Sequence, residues 1–278
     1  MRPREFALAL AALPVVSAPL PAQGFSARTE VVAASGYLWR GLTRHRTPVL
    51  QALGAVGYRK QSLSVDLSAW GSGITGDCGR PACPEGTGVR IADANASLLV
   101  RLASGDMRFA VGASAYWLRP PPFDPGRKSA ATWEAVAMIA PAPSQHLQIA
   151  LTTWLDLDEV EGIYAEASAT VPITLRTRAP PEHFFTMTLG WNQGQDTNRG
   201  TVPGYFARNG LTHVSLEASR LLSRPTGGRG MTVQLFARLQ GNLDKATKSP
   251  VWPFKRAGAD QQVIIGLAVH PVVAAGGY

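Results

Sequence analysis

Ser35-Gly36-Tyr37-Leu38-Trp39-Arg40-Gly41-Leu42-Thr43-Arg44-His45-Arg46-Thr47-Pro48-Val49-Leu50-Gln51 is the stretch whose reading decides the fold of this chain. It divides into two extended arms around a basic turn. On the first arm Tyr37 and Trp39 alternate with Gly36, Leu38 and Arg40, so the rings share one face and the charge takes the other. Aromatic residues at period 2 near a strand end, with a charge opposite, suit a wall between lipid and water. The expected strands are Ala27 to Arg40 and Thr47 to Lys60, joined by Gly41 to Arg46.

Outward from this stretch the alternation continues in segments of about ten residues, the length a tilted strand needs to cross a bilayer core. Ser62 to Trp70 sets Leu63, Val65, Leu67 and Ala69 against Ser64, Asp66 and Ser68. Ala92 to Ala103 opposes Leu98, Val100 and Leu102 to Asp93, Asn95, Ser97 and Arg101. The pattern recurs in Met107 to Leu118, Ala130 to Ala140, His146 to Asp158, Gly162 to Leu175, Phe184 to Asn192, Leu211 to Leu222, Met231 to Asn242 and Gln261 to Val269. With the first two, these make about twelve strands. An even count, aromatics near segment ends (Tyr37, Trp39, Tyr58, Trp70, Trp117, Trp133, Trp191) and long connections alternating with short turns favour an all-β fold: a single antiparallel transmembrane β-barrel. A soluble exported sandwich also alternates and remains the competing architecture.

The address agrees with a barrel. Arg2 and Arg4 precede an apolar run from Phe6 to Ala18, the pattern of a secretory signal within residues 1–23, leaving 24–278 as one domain. No later run is long and apolar enough for a membrane helix, so an exported chain entering a membrane would do so as a closed barrel. Composition is permissive: 17% charged residues, with Gly 28 and Pro 21 suiting many turns. The net charge of +8 comes without any nucleic-acid-binding motif, which sets nucleic acid aside as a partner. Cys78 and Cys83, in a polar loop, are a disulfide candidate outside the cytoplasm, and no clustered ligands suggest a metal or another cofactor.

The opening stretch resembles the first hairpin of the TorF-type porins, a family of outer-membrane β-barrels. The matching positions are Tyr37, Arg40, Gly41, Thr43, Pro48 and Gln51, followed by a small-residue strand ending at Tyr58. The resemblance covers a small part of the chain. It implies passive passage of small polar solutes, with Arg40 and Gln51 at the lumen. Alternation adds Asp66, Arg101, Glu134, Glu166 and Arg238 as lumen-lining candidates. Their mixed charges fit a solvated channel and equally a set of ion pairs filling a closed structural barrel.

The partners expected are outer-membrane lipid, small polar solutes and the insertion machinery, which reads a terminal aromatic; Tyr278 is in place, but Pro271 interrupts the final strand. Basic loop residues such as Arg44, Arg46, Lys245 and Lys248 suit lipopolysaccharide phosphates or plain solubility. One enzymatic alternative exists. His213, Ser215 and Glu217 share a strand face, and His-x-Ser on a strand is similar to the outer-membrane lipid A deacylases. Residues two apart on a strand lie ~7 Å apart, which is long for a direct nucleophile–base bond. The expectation is therefore a non-enzymatic porin in the outer membrane, with a lipid-modifying enzyme as the alternative.

Overall fold

The structure is a computed structural model of the chain, describing residues 24–40, 42–45, 48–74, 90–118, 130–144, 146–158, 161–174, 182–195, 206, 209–223, 230–243 and 261–272. The expected signal segment, Cys78, Cys83, Tyr278 and most of the basic connection residues lie outside these.

Twelve strands close into one antiparallel barrel. In chain order the elements are β1 (Phe25–Ala34), β2 (Tyr37–Trp39), β3 (Leu42–His45), β4 (Val49–Lys60), β5 (Leu63–Ile74), β6 (Arg90–Ser104), β7 (Met107–Leu118), β8 (Ala130–Pro141), β9 (Gln148–Asp156), β10 (Ile163–Ile173), β11 (His183–Gln193), β12 (Gly210–Ser223), β13 (Gly230–Asn242) and β14 (Gln261–Val272). Each wall strand pairs with its neighbours in sequence, and β1 pairs with both β4 and β14 to close the ring. Closure removes the unpaired edges that an open sheet would leave.

Alternation in the sequence becomes an inside and an outside. Leu67, Leu98, Val111, Trp133 and Val263 point outward, and Val111 and Val263 are 59% and 64% exposed. Residues of opposite parity on the same strands, Ser64, Asp93, Ser114, Thr132 and Glu134 among them, point inward and are buried. Thus the usual arrangement of a water-soluble domain is inverted, with apolar side chains around the girth and polar ones within. The short turns gather at one end. Ser104 and Met107 pair across Gly105-Asp106, where Gly105 takes φ 56° without a side-chain penalty. At the other end lie Ile74 and Arg90, Leu118 and Ala130, Gln193 and Gly210, and Asn242 and Gln261, the strand ends that the longer connections join.

The first hairpin departs from expectation. The wall strands here are only Phe25–Ala34 and Val49–Lys60, and between them β2 and β3 form a separate two-stranded sheet. Ser35 still donates its N–H to Ile265 O of β14 at 2.9 Å, and from Gly36 the chain folds into the barrel interior. Tyr37 and Trp39 are buried there against the inner faces of the wall, so the interfacial girdle expected of them is corrected. Trp70 is likewise inside, its ring 5.4 Å from that of Tyr37. Its parity with Asp66 and Ser68 requires this. Tyr58, Trp117, Trp133 and Trp191 do face outward.

Candidate functional site: the barrel interior and its inward hairpin

Arg40 sits at the tip of the inward hairpin with φ 50°, the conformation that turns β2 into β3. Its guanidinium carbon lies 4.4 Å from the Trp39 ring centroid, 5.0 Å from Tyr164, 5.3 Å from Trp154 and 5.5 Å from Tyr116. Nη2 donates a hydrogen bond to Oε2 of Glu134 on β8, and both side chains are almost wholly buried. A charge removed from water needs both a counter-charge and hydrogen bonds, and ring faces add attraction for the cation. Arg40 therefore belongs to the hairpin and not to the wall, where alternation had placed it.

Around this pair the interior is aromatic. Tyr37, Trp39, Val49, Tyr164 and Phe206 form one buried cluster, with Trp70, Tyr116 and Trp154 packed against it. Phe206 reaches in from the 194–209 connection and stacks on Tyr164 at 5.7 Å and 6°. Tyr164 donates to Oε1 of Glu166 at 2.6 Å, and Thr132 donates to Oδ1 of Asp156 at 2.8 Å. The cluster lies toward the end with the longer connections: Glu134 is near the start of β8 and Tyr116 near the end of β7.

The remaining interior is polar and open. A cavity of about 260 Å³ lies between the hairpin and the wall made by β4, β1, β14 and β13, and a second of about 270 Å³ lies against β9 to β13. Both are lined by Leu38 and Arg238, so they flank the hairpin. Gln51 and Arg238 line the first; Arg40, Glu166 and Arg238 line the second. Arg238 donates to Oε2 of Glu217 from Nε at 2.9 Å and from Nη2 at 2.7 Å. Nearer the short turns Arg101 donates to Oδ2 of Asp66 at 2.8 Å. The structure thus distributes the seven residues singled out as lining among three ion pairs and the two cavity walls, with Glu134 sealed beneath Arg40.

The His213, Ser215 and Glu217 face also points inward, away from the apolar girth where Leu216 is exposed. His213 Nδ1 lies 3.1 Å from Thr212 Oγ1, and its Nε2 lies 4.0 Å from Glu166 Oε1. Glu217 is occupied by Arg238. The carboxylate that would orient a catalytic imidazole is therefore committed elsewhere, and His213 instead packs its ring over Gly190, where a Cβ would stand 2.3 Å from it. Among the described residues no group of acidic, His or Cys side chains could hold a metal ion.

Sequence reasoning missed the inward hairpin and its aromatic cage. Length gave no signal: fourteen residues were expected for each strand where the wall uses ten and twelve, but wall strands β6 and β12 reach fifteen and fourteen.

No family model matches the chain, and no curated protein matches it. Among solved structures it is similar to a KdgM porin, at 6% identity over 88% of this chain and 98% of that one, with a TM-score of 0.44. It is also similar to an outer membrane channel from Pseudomonas putida F1, at 11% identity over 93% and 98% of the two chains, with a TM-score of 0.43.

Proposed function

We propose that this barrel spans an outer membrane and lets small polar solutes diffuse past the inward hairpin, as a porin with a narrowed lumen. The observation that carries this is the inversion of the wall. A continuous apolar belt surrounds a polar interior that contains two cavities flanking the hairpin. In water so large an apolar surface would drive association, whereas in lipid it is the solvated face. Closed pairing satisfies the backbone of the wall, as a membrane-spanning chain requires.

Export through the signal at residues 1–23 and assembly by the outer-membrane insertion machinery accompany this reading. The long connections then face outward, where their basic residues meet lipopolysaccharide, and the short turns face the periplasm. Cys78 and Cys83 would close a disulfide in the first of the long connections.

The aromatic cluster favours a second reading, a closed structural barrel in which hairpin and Phe206 seal the lumen. Single-channel recording of the mature chain refolded into a planar bilayer separates them. Discrete current steps support the pore. Stable insertion without steps leaves the closed barrel.

A further inference from the structure

We infer that the cavity beside Tyr37 and Trp70 is a binding site for a neutral polyhydroxylated solute of pyranose size. This deepens the pore reading above and rests on it for the solute's route.

The acidic groups of the cavity wall already have partners. Arg238 donates to Glu217 at 2.7 Å, and Glu30 Oε2 lies 3.4 Å from His270 Nδ1. An anion or cation entering the cavity would have to compete with a partner already in place and would lose hydration. A neutral solute escapes that cost. The paired groups still offer hydrogen bonds, since a carboxylate accepts at two oxygens and a guanidinium has five N–H donors. Gln51 and Gln234 add amides to the same wall; Gln234 is anchored through Nε2 to Ser219 Oγ at 2.7 Å, which leaves its carbonyl oxygen to accept.

Apolar surface flanks these groups on both sides. The Tyr37 and Trp70 rings stand 45° apart at one flank. At the other is Phe236, four strands further around the wall. Phe236 occupies the space that a side chain at its cross-strand partner Gly266 would fill, where a Cβ would stand 2.3 Å from the ring. That keeps the ring down on the wall and the cavity open. Ring faces beside dense donors and acceptors suit a solute with C–H faces and a rim of hydroxyls. Size agrees: a cavity of about 150 Å³ accommodates benzene, and this one is about 260 Å³.

The test is current recording from the mature chain in a planar bilayer, with glucose, glucuronate or glucosamine added. Glucose is expected to interrupt the ion current at concentrations about tenfold lower than either charged analogue does. Replacing Trp70→Leu and Phe236→Leu, which keeps apolar side chains but removes the ring faces, is expected to abolish the interruptions. Steady current without interruption by glucose overturns the site and spares the pore, as do equal effects of all three solutes. Where the barrel inserts without current, saturation-transfer NMR with glucose on the detergent-solubilised protein decides. Transfer that is lost in the leucine variant upholds the site and sinks only the pore; absence of transfer overturns the site.

Discussion

Arg40 and Glu134, ninety-four positions apart in the chain, form a buried ion pair that fastens the tip of the β2–β3 hairpin to the inner face of β8. Removing one partner leaves the other charged, buried and unpaired, which costs about 3–5 kcal/mol. Arg40→Ala and Glu134→Ala are each expected to lower the urea midpoint by that measure. Because the hairpin loses its anchor, both should also raise single-channel conductance. An Arg40→Leu, Glu134→Leu double variant should regain most of the stability, since a packed apolar pair carries no desolvation cost. A conductance unchanged by either single substitution would show that the hairpin does not set the width of the lumen.

Val111 distinguishes a lipid-facing from a water-facing surface. It lies mid-strand on β7 and is 59% exposed. In a soluble protein, replacing so exposed a side chain by Arg would change stability by no more than about 0.5 kcal/mol. On the lipid face near mid-membrane it costs about 2–4 kcal/mol. The larger value is expected for Val111→Arg in reversible unfolding from liposomes, and a loss near zero would remove the membrane assignment.

Two glycines should differ sharply. A Cβ at Gly266 would meet the Phe236 ring at 2.3 Å and the Ala33 carbonyl oxygen at 2.8 Å, whereas one at Gly54 would meet nothing within 4 Å. Overpacking of the first kind costs about 1–3 kcal/mol. Gly266→Ala is expected to lower the midpoint of heat-induced loss of the folded gel band, and Gly54→Ala to leave it in place or raise it.

Charge selectivity should follow Arg238, which lines both cavities. Arg238→Glu places a second carboxylate beside Glu217 and removes, among the described residues, the only guanidinium that lines both cavities. The reversal potential in a salt gradient is expected to move toward cation preference. A potential that does not move would place the ion path elsewhere in the barrel.

The lipid-modifying alternative has its own check. Glu217 is held by Arg238 and the His213 ring is packed over Gly190, so Ser215→Ala is expected to leave lipid A acylation unchanged in cells expressing the protein. Altered acylation would restore the enzyme.

The wall was legible in the sequence because period-2 alternation and the inside and outside of a closed sheet are one and the same geometry. Leu67 against Asp66 and Ser68, or Val111 against Ser114, need no tertiary information to be assigned to opposite faces. Trp70 was legible as well, by parity with Asp66; weighting it as an end-of-strand aromatic gave the wrong side. Between Ser35 and Pro48 that rule stops working. Alternation shows that Tyr37 and Trp39 share a face, but a ring can be buried equally well by lipid or by other rings. What decides is whether the chain stays hydrogen-bonded to the wall after Ser35, whose N–H still reaches Ile265 O. That depends on Glu134, Tyr116, Trp154 and Tyr164, which lie on four other strands and, with Trp39, surround the Arg40 guanidinium. Local pattern determined the twelve-stranded wall and its two faces. Only the tertiary structure decided that the first connection turns inward, because the energy of burying Arg40 comes from residues distant in the chain.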